Sequence, residues 1–184
     1  MDSIQIEKIL NSLPETYPLF SGVYTNSYIP SSFQEQCNGF IIVNTLNAVE
    51  SNVEAIGHWV AIIMRDGVML FFDSYGLHPS LYGNEIHRVY TSHSGNKMVV
   101  FHEALQASDS YTCGGYVIYF CHMISLNKSL YELRGKFTKD KNSNDKFVRR
   151  FIMRLTGTSL ECNREFCPAY MFMTDCSKYC ACNK

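Results

Sequence analysis

The stretch HWVAIIMRDGVMLFFDSYG, residues 58 to 76, decides the fold. Two apolar runs flank Asp66-Gly67, a pair suited to a two-residue turn because both types tolerate positive φ. The pattern predicts an antiparallel hairpin. If Asp66 and Gly67 are the central turn residues, Arg65 faces Val68 and facing positions keep a constant sum of 133, so Val60 faces Asp73. His58 lies on the same strand face as Val60, which makes His58 and Asp73 a diagonal pair about 7–8 Å apart at the Cα level. One extra turn residue would put them on opposite faces. A carboxylate on one imidazole nitrogen would fix the tautomer and leave the other nitrogen free to take a proton from a thiol.

A thiol suited to that role occurs in DSYTCGGYVIYFCHMI, residues 109 to 124. Cys113 stands directly before two glycines and a long apolar run. A helix starting there sets the sulfur over unpaired backbone N–H groups and the positive end of the helix dipole, both of which favour a thiolate. The glycines would let another backbone, such as a substrate strand, approach closely. Each residue has a plainer reading: Cys113 as a buried thiol, His58 as a packed histidine beside Trp59, Asp73 as a turn residue. Together they match the nucleophile, base and orienter of covalent catalysis.

Outward from these segments, 184 residues with 46% hydrophobic and 14% aromatic content predict one domain, residues 1 to 184, with a cysteine-rich segment at 162 to 184. A net charge of −1 provides no global basic field, so nucleic acid is not implied as a main partner. No 18-residue apolar run occurs, and the first residues lack the basic and apolar regions of a signal peptide; a soluble, non-secreted protein is expected. In that setting the eight cysteines read as reduced thiols, metal ligands or catalytic groups. Residues 2 to 13 place Ile6, Ile9, Leu10 and Leu13 at helical spacing before Pro14. GFIIVNTL (39 to 46) and KMVVFHEAL (97 to 105) read as strands, with a polar loop at 47 to 56. Residues 114 to 126 read as a buried helix, and NDKFVRRFIMRL (144 to 155) as another. The expected class is α+β, a mostly antiparallel central sheet covered by helices, with the nucleophile at the start of a buried helix.

The order His, acidic residue, Cys in GHWVAII, LFFDSYG and LQASDSYTCGGY resembles the adenovirus protease (adenain) family and, more distantly, the ubiquitin-like-protein proteases of the same clan. Upstream, FSGVY followed by Pro30, and IIVNT, resemble adenain segments, so the likeness spans roughly residues 17 to 125. It implies an adenain-like fold with Cys113 as nucleophile, His58 as general base and Asp73 as orienter. Gln106, seven residues before Cys113, matches the family's oxyanion glutamine. Gly57, Trp59 and Gly114 are expected to line the substrate path, Trp59 beside the imidazole or simply in the core. The resemblance implies a viral or virus-like thiol endopeptidase, a late protein of virion maturation. Such an enzyme would cut capsid or core precursor polypeptides after small, glycine-type residues, as a monomer in the virion and the host nucleus or cytoplasm.

This chain departs from the family at several points. Adenain usually carries Glu where Asp73 stands, whereas Asp is usual in the ubiquitin-like-protein branch. Adenain's activating peptide forms a disulfide with a cysteine 18 residues before the nucleophile, a position held here by Gly95, so an activating peptide is expected to bind non-covalently. DNA, the family's other cofactor, has one basic stretch to meet: Lys136, Lys139, Lys141, Lys146, Arg149, Arg150 and Arg154. The tail cysteines, Cys162, Cys167, Cys176, Cys180 and Cys182, do not repeat the paired CxxC of a standard zinc site, and no metal is expected. Two alternatives stand beside the endopeptidase: a protease that removes ubiquitin-like modifiers, and a non-catalytic binding module of the same fold.

Overall fold

Asp66 and Gly67 both adopt positive φ, 52° and 71°, the condition for a tight turn that matches the twist of its flanking strands. A computed structural model describes residues 1–46, 57–93 and 98–157. In it β3 (Trp59–Arg65) and β4 (Val68–Phe72) pair antiparallel from Arg65 opposite Val68 to Ala61 opposite Phe72. That is the register expected from the sequence, and it carries His58 and Asp73 to the same end of the sheet.

The sheet has five strands in the order β1-β2-β3-β4-β5, with β1 at Phe20–Thr25, β2 at Gly39–Asn44 and β5 at Met98–Val100. β2 pairs antiparallel with β3, but β1 runs parallel to β2 and β5 parallel to β4. The sheet is therefore mixed rather than mostly antiparallel. The reason lies in the connections, because parallel neighbours need a crossover. Between β4 and β5 the chain forms α2 (Asn84–His93), whose buried face is only Ile86 and Val89. The strand expected over residues 97 to 105 is also cut to three residues, and the chain beyond it turns into the loop that precedes Cys113.

Strand residues alternate between two cores. Phe40, Ile42, Ala61, Ile63, Leu70 and Phe72 join α1 (Ser3–Ser12), α3 (Cys113–Ser125) and α5 (Lys141–Thr156), while Ile41, Val43, Val60, Ile62, Met69 and Phe71 pack with α2. α1 begins in a capping box, with Asp2 and Gln5 bonding each other's backbone N–H, and buries Ile6 and Leu10. α3 is buried at every position from Cys113 to His122, as a helix apolar all round must be. α4 (Leu130–Arg134) is a short capped turn before α5. Among the described residues no helix is long and apolar enough to cross a membrane. The loop at 47 to 56, Gly95 and all five tail cysteines lie outside the described residues.

Candidate active site

Asp73 ends the second arm of the hairpin with its carboxylate fully buried, and four donors surround it. Oδ1 accepts from His58 Nε2 at 2.6 Å and from the Tyr75 backbone N–H at 2.8 Å. Oδ2 accepts from the Leu77 N–H at 3.3 Å and from the Tyr82 hydroxyl. A buried carboxylate is stable only when so satisfied. The SYGL after Asp73 supplies two of these donors, the N–H groups of Tyr75 and Leu77, because an aspartate readily bonds backbone N–H groups a few residues on.

With Nε2 committed to Asp73, Nδ1 is the nitrogen left for Cys113, and His58 and Cys113 are within hydrogen-bond reach. Burial pushes His58 toward neutrality, but its bonds to Asp73 and Cys113 and their negative charge outweigh this and raise it to about 9. Burial likewise pushes the Cys113 thiol up. The hydrogen bond and charge of His58, with the backbone N–H groups of Trp59 and Gly114, overcome that and bring it below the ordinary thiol value. The two shifts describe one proton: the pair favours a thiolate and an imidazolium over a thiol and a neutral imidazole. Cys121, one face further along α3, is wholly buried with its thiol pushed well up, the opposite condition on the same helix.

His58, Trp59, Gly57 and Cys113 line a cleft of about 250 Å³ with Met1, Tyr75 and residues 108 to 111. Gly57 is required by packing as well as by the cleft, since a Cβ there would lie 2.0 Å from Asn44 Oδ1. Trp59 is nearly buried and its indole N–H donates to the Met1 carbonyl at 3.1 Å, so it is at once core and cleft wall. Gly114 faces chain rather than open cleft: a Cβ would meet Met1 Cβ at 3.1 Å and Sδ at 3.2 Å. Gly115 similarly admits α5, where Val148 Cγ1 would lie 2.8 Å from an added Cβ. The double glycine therefore serves close packing of the buried helix.

Gln106 is fully buried and does not line the cleft. Its Nε2 donates to the Ser110 carbonyl at 2.7 Å and to the Tyr75 hydroxyl at 3.2 Å, and its Oε1 accepts from Ser74 Oγ at 2.6 Å. An oxyanion role requires Nε2 to exchange Tyr75 for substrate. No known protein family matches the chain in sequence, and no curated protein does. The site therefore stands on its own geometry.

That geometry includes two residues the sequence reading missed. Tyr75 stacks on the His58 ring at 4.7 Å between centroids and bonds the loop that carries Gln106. Its place two residues after Asp73 in the turn was the available signal. Tyr82 caps Asp73 from nine residues away, and burial followed by the Asp73 charge drives its hydroxyl well above the ordinary phenol range. Nothing in its local sequence marks it. Asp109 sits on the cleft wall, exposed, while Asp73 holds the imidazole. Among the described residues no cluster of three His, Cys, Asp or Glu could hold a metal ion.

Proposed function

We propose that the chain is a cysteine endopeptidase of the adenain type. The observation that carries this reading is the His58–Asp73 bond of 2.6 Å beside a Cys113 thiol lowered at the first turn of a buried helix, with His58 and Cys113 lining one cleft and Asp73 buried behind them. The thiolate attacks the carbonyl carbon of a peptide bond, forming a C–S bond as the carbonyl electrons move to oxygen. His58 gives its proton to the departing amine as the C–N bond breaks. Water then adds to the thioester carbonyl, one of its protons returning to His58, and as the C–S bond breaks the acid is freed and the Cys113 thiolate restored. The cleft, of about 250 Å³, is walled by Trp59, Met1 and Tyr111, and bulky walls of this kind suit a substrate strand with small residues before the cut. By resemblance the substrates are viral precursor polypeptides, and the activator is a peptide bound without a disulfide.

The test is trapping with a peptide vinyl sulfone carrying glycine next to the warhead, followed by mass mapping. Cys113 should be labelled ahead of the exposed Cys37, and Cys113→Ala should abolish cleavage of a matching glycine peptide. Labelling spread over Cys37, or activity kept within about tenfold in Cys113→Ala, would sink the assignment, since tenfold is only about 1.4 kcal/mol of barrier. Rapid release of a folded modifier from its conjugate, with slow cleavage of the bare peptide, would shift the substrate to ubiquitin-like proteins.

A further inference from the structure

Asp145, on α5, lies outside the cleft lining and is almost wholly buried. Its Oδ1 accepts from Thr112 Oγ1 and from the Tyr116 hydroxyl, each at 2.9 Å. Thr112 is the residue before Cys113 and the cap of α3; its carbonyl already accepts the first helical bond, from the Tyr116 N–H at 3.1 Å. A threonine in that place ordinarily turns its hydroxyl onto the N–H of the second or third helical residue. Here it makes no side-chain cap, and its backbone, at φ −93° and ψ 4°, is not in the extended conformation that a capping residue adopts. Because Thr112 Oγ1 gives its proton to Asp145, it must accept from Ser110 Oγ at 2.6 Å. The Ser110 carbonyl in turn accepts from Gln106 Nε2. The neighbouring Asn144 bonds the Leu105 and Thr138 carbonyls at 3.1 and 3.0 Å, fixing the start of the same loop.

We propose that Asp145 is a positioning residue: by holding Thr112 through its hydroxyl in this non-capping conformation, it leaves the N–H groups of the first turn of α3 to the Cys113 sulfur and to the charge developing on the scissile carbonyl. The proposal rests on the reading of Cys113 as nucleophile. A cap on these donors would share them between the hydroxyl and the site, weakening what the helix start offers to negative charge. The buried carboxylate, at the price of its own desolvation, prevents that. It also links the nucleophile and Gln106 through one chain of hydrogen bonds, Asp145 to Thr112 to Ser110 to Gln106.

The experiment measures the pH midpoint for alkylation of Cys113 by iodoacetamide, read by peptide mass mapping of the full chain. It needs no peptide substrate. Asp145→Ala frees the Thr112 hydroxyl to cap the helix and should raise the midpoint by about half a unit or more. Adding Thr112→Val, which cannot cap, should return it close to wild type, and Asp145→Asn should stay near wild type because its amide oxygen still accepts both hydroxyls. An unchanged midpoint in Asp145→Ala overturns the proposal, as does a raised midpoint that Thr112→Val fails to restore. If Asp145→Ala does not fold, Thr112→Val alone decides: an unchanged midpoint supports the proposal, and a raised one shows that the hydroxyl itself serves the sulfur. A chain that cleaves no peptide but shows these shifts keeps the positioning role and loses the protease reading. Failure of native Cys113 to alkylate at all overturns both.

Discussion

Asp73 spends its two oxygens on four donors and leaves His58 one available nitrogen, so a single carboxylate sets both the orientation and the charge of the imidazole. Its effect has a sign. The bond and charge of Asp73 help raise His58 from the ordinary 6.5 to about 9. In the proposed mechanism the imidazolium that protonates the leaving amine is therefore present below about 9 and is lost as pH rises through it. The acid limb belongs to Cys113, whose thiolate persists to lower pH than an ordinary thiol. Activity should follow a plateau between those limits. In Asp73→Asn the shape is kept but the charge is gone, so the alkaline limb should move to lower pH and turnover should fall. A profile of kcat/KM from about pH 5 to about pH 10 measures both. An unmoved alkaline limb would mean that the charge on His58 is set elsewhere. Asp73 was legible because turn chemistry and strand period place it by counting. Tyr82 was not, since its contact depends on where a loop of nine residues returns.

Among the elements, the hairpin and the buried helix α3 declare themselves locally, the first by its turn pair and the second by an apolar run too long for a strand. α2 does not, because its two buried residues are too few to stand out from a polar segment. Two parallel edges make the sheet mixed: the helix between β4 and β5 lets the last strand run parallel, and β1, which no sequence pattern singled out, pairs parallel with β2. The Cys-Gly-Gly at the start of α3 was legible as a special junction, but its packing depends on partners distant in sequence. Gly115 lies against Val148 and Ile152 of α5, where an added Cβ would approach Val148 Cγ1 to 2.8 Å. Gly115→Ala should therefore cost about 1–3 kcal/mol by overpacking. Val148→Ala removes the obstructing methyl groups, so the double variant should lose less than the sum of the two single losses. Urea denaturation of the four proteins measures this coupling. Strict additivity would show that α5 moves aside freely and that the glycine has another cause.

Across the whole molecule, the sheet is covered on both faces and the site lies at one end, where β3 begins, β4 finishes and α3 starts. Cys113 and Asp73, both of the proposed site, consequently differ in how deeply the fold depends on them. Cys113 is small and borders the cleft, so Cys113→Ala removes one sulfur from a site that can tolerate it; stability should stay within about 1 kcal/mol while cleavage is lost. Asp73 is a core residue as well as a site residue. Asp73→Ala leaves His58 Nε2, the Tyr82 hydroxyl and the N–H groups of Tyr75 and Leu77 without their acceptor in a buried setting. Removing one partner from such a buried charged cluster costs about 3–5 kcal/mol, far more than the loss of a surface carboxylate. Equilibrium urea unfolding followed by tyrosine and tryptophan fluorescence can compare the two variants with the parent chain. The expected pattern is a midpoint near the parent for Cys113→Ala and a large fall for Asp73→Ala, with Asp73→Asn between them because its amide oxygen still accepts. Equal midpoints for all three would mean that water enters and satisfies the Asp73 pocket, and that the carboxylate orients His58 without helping to hold the fold.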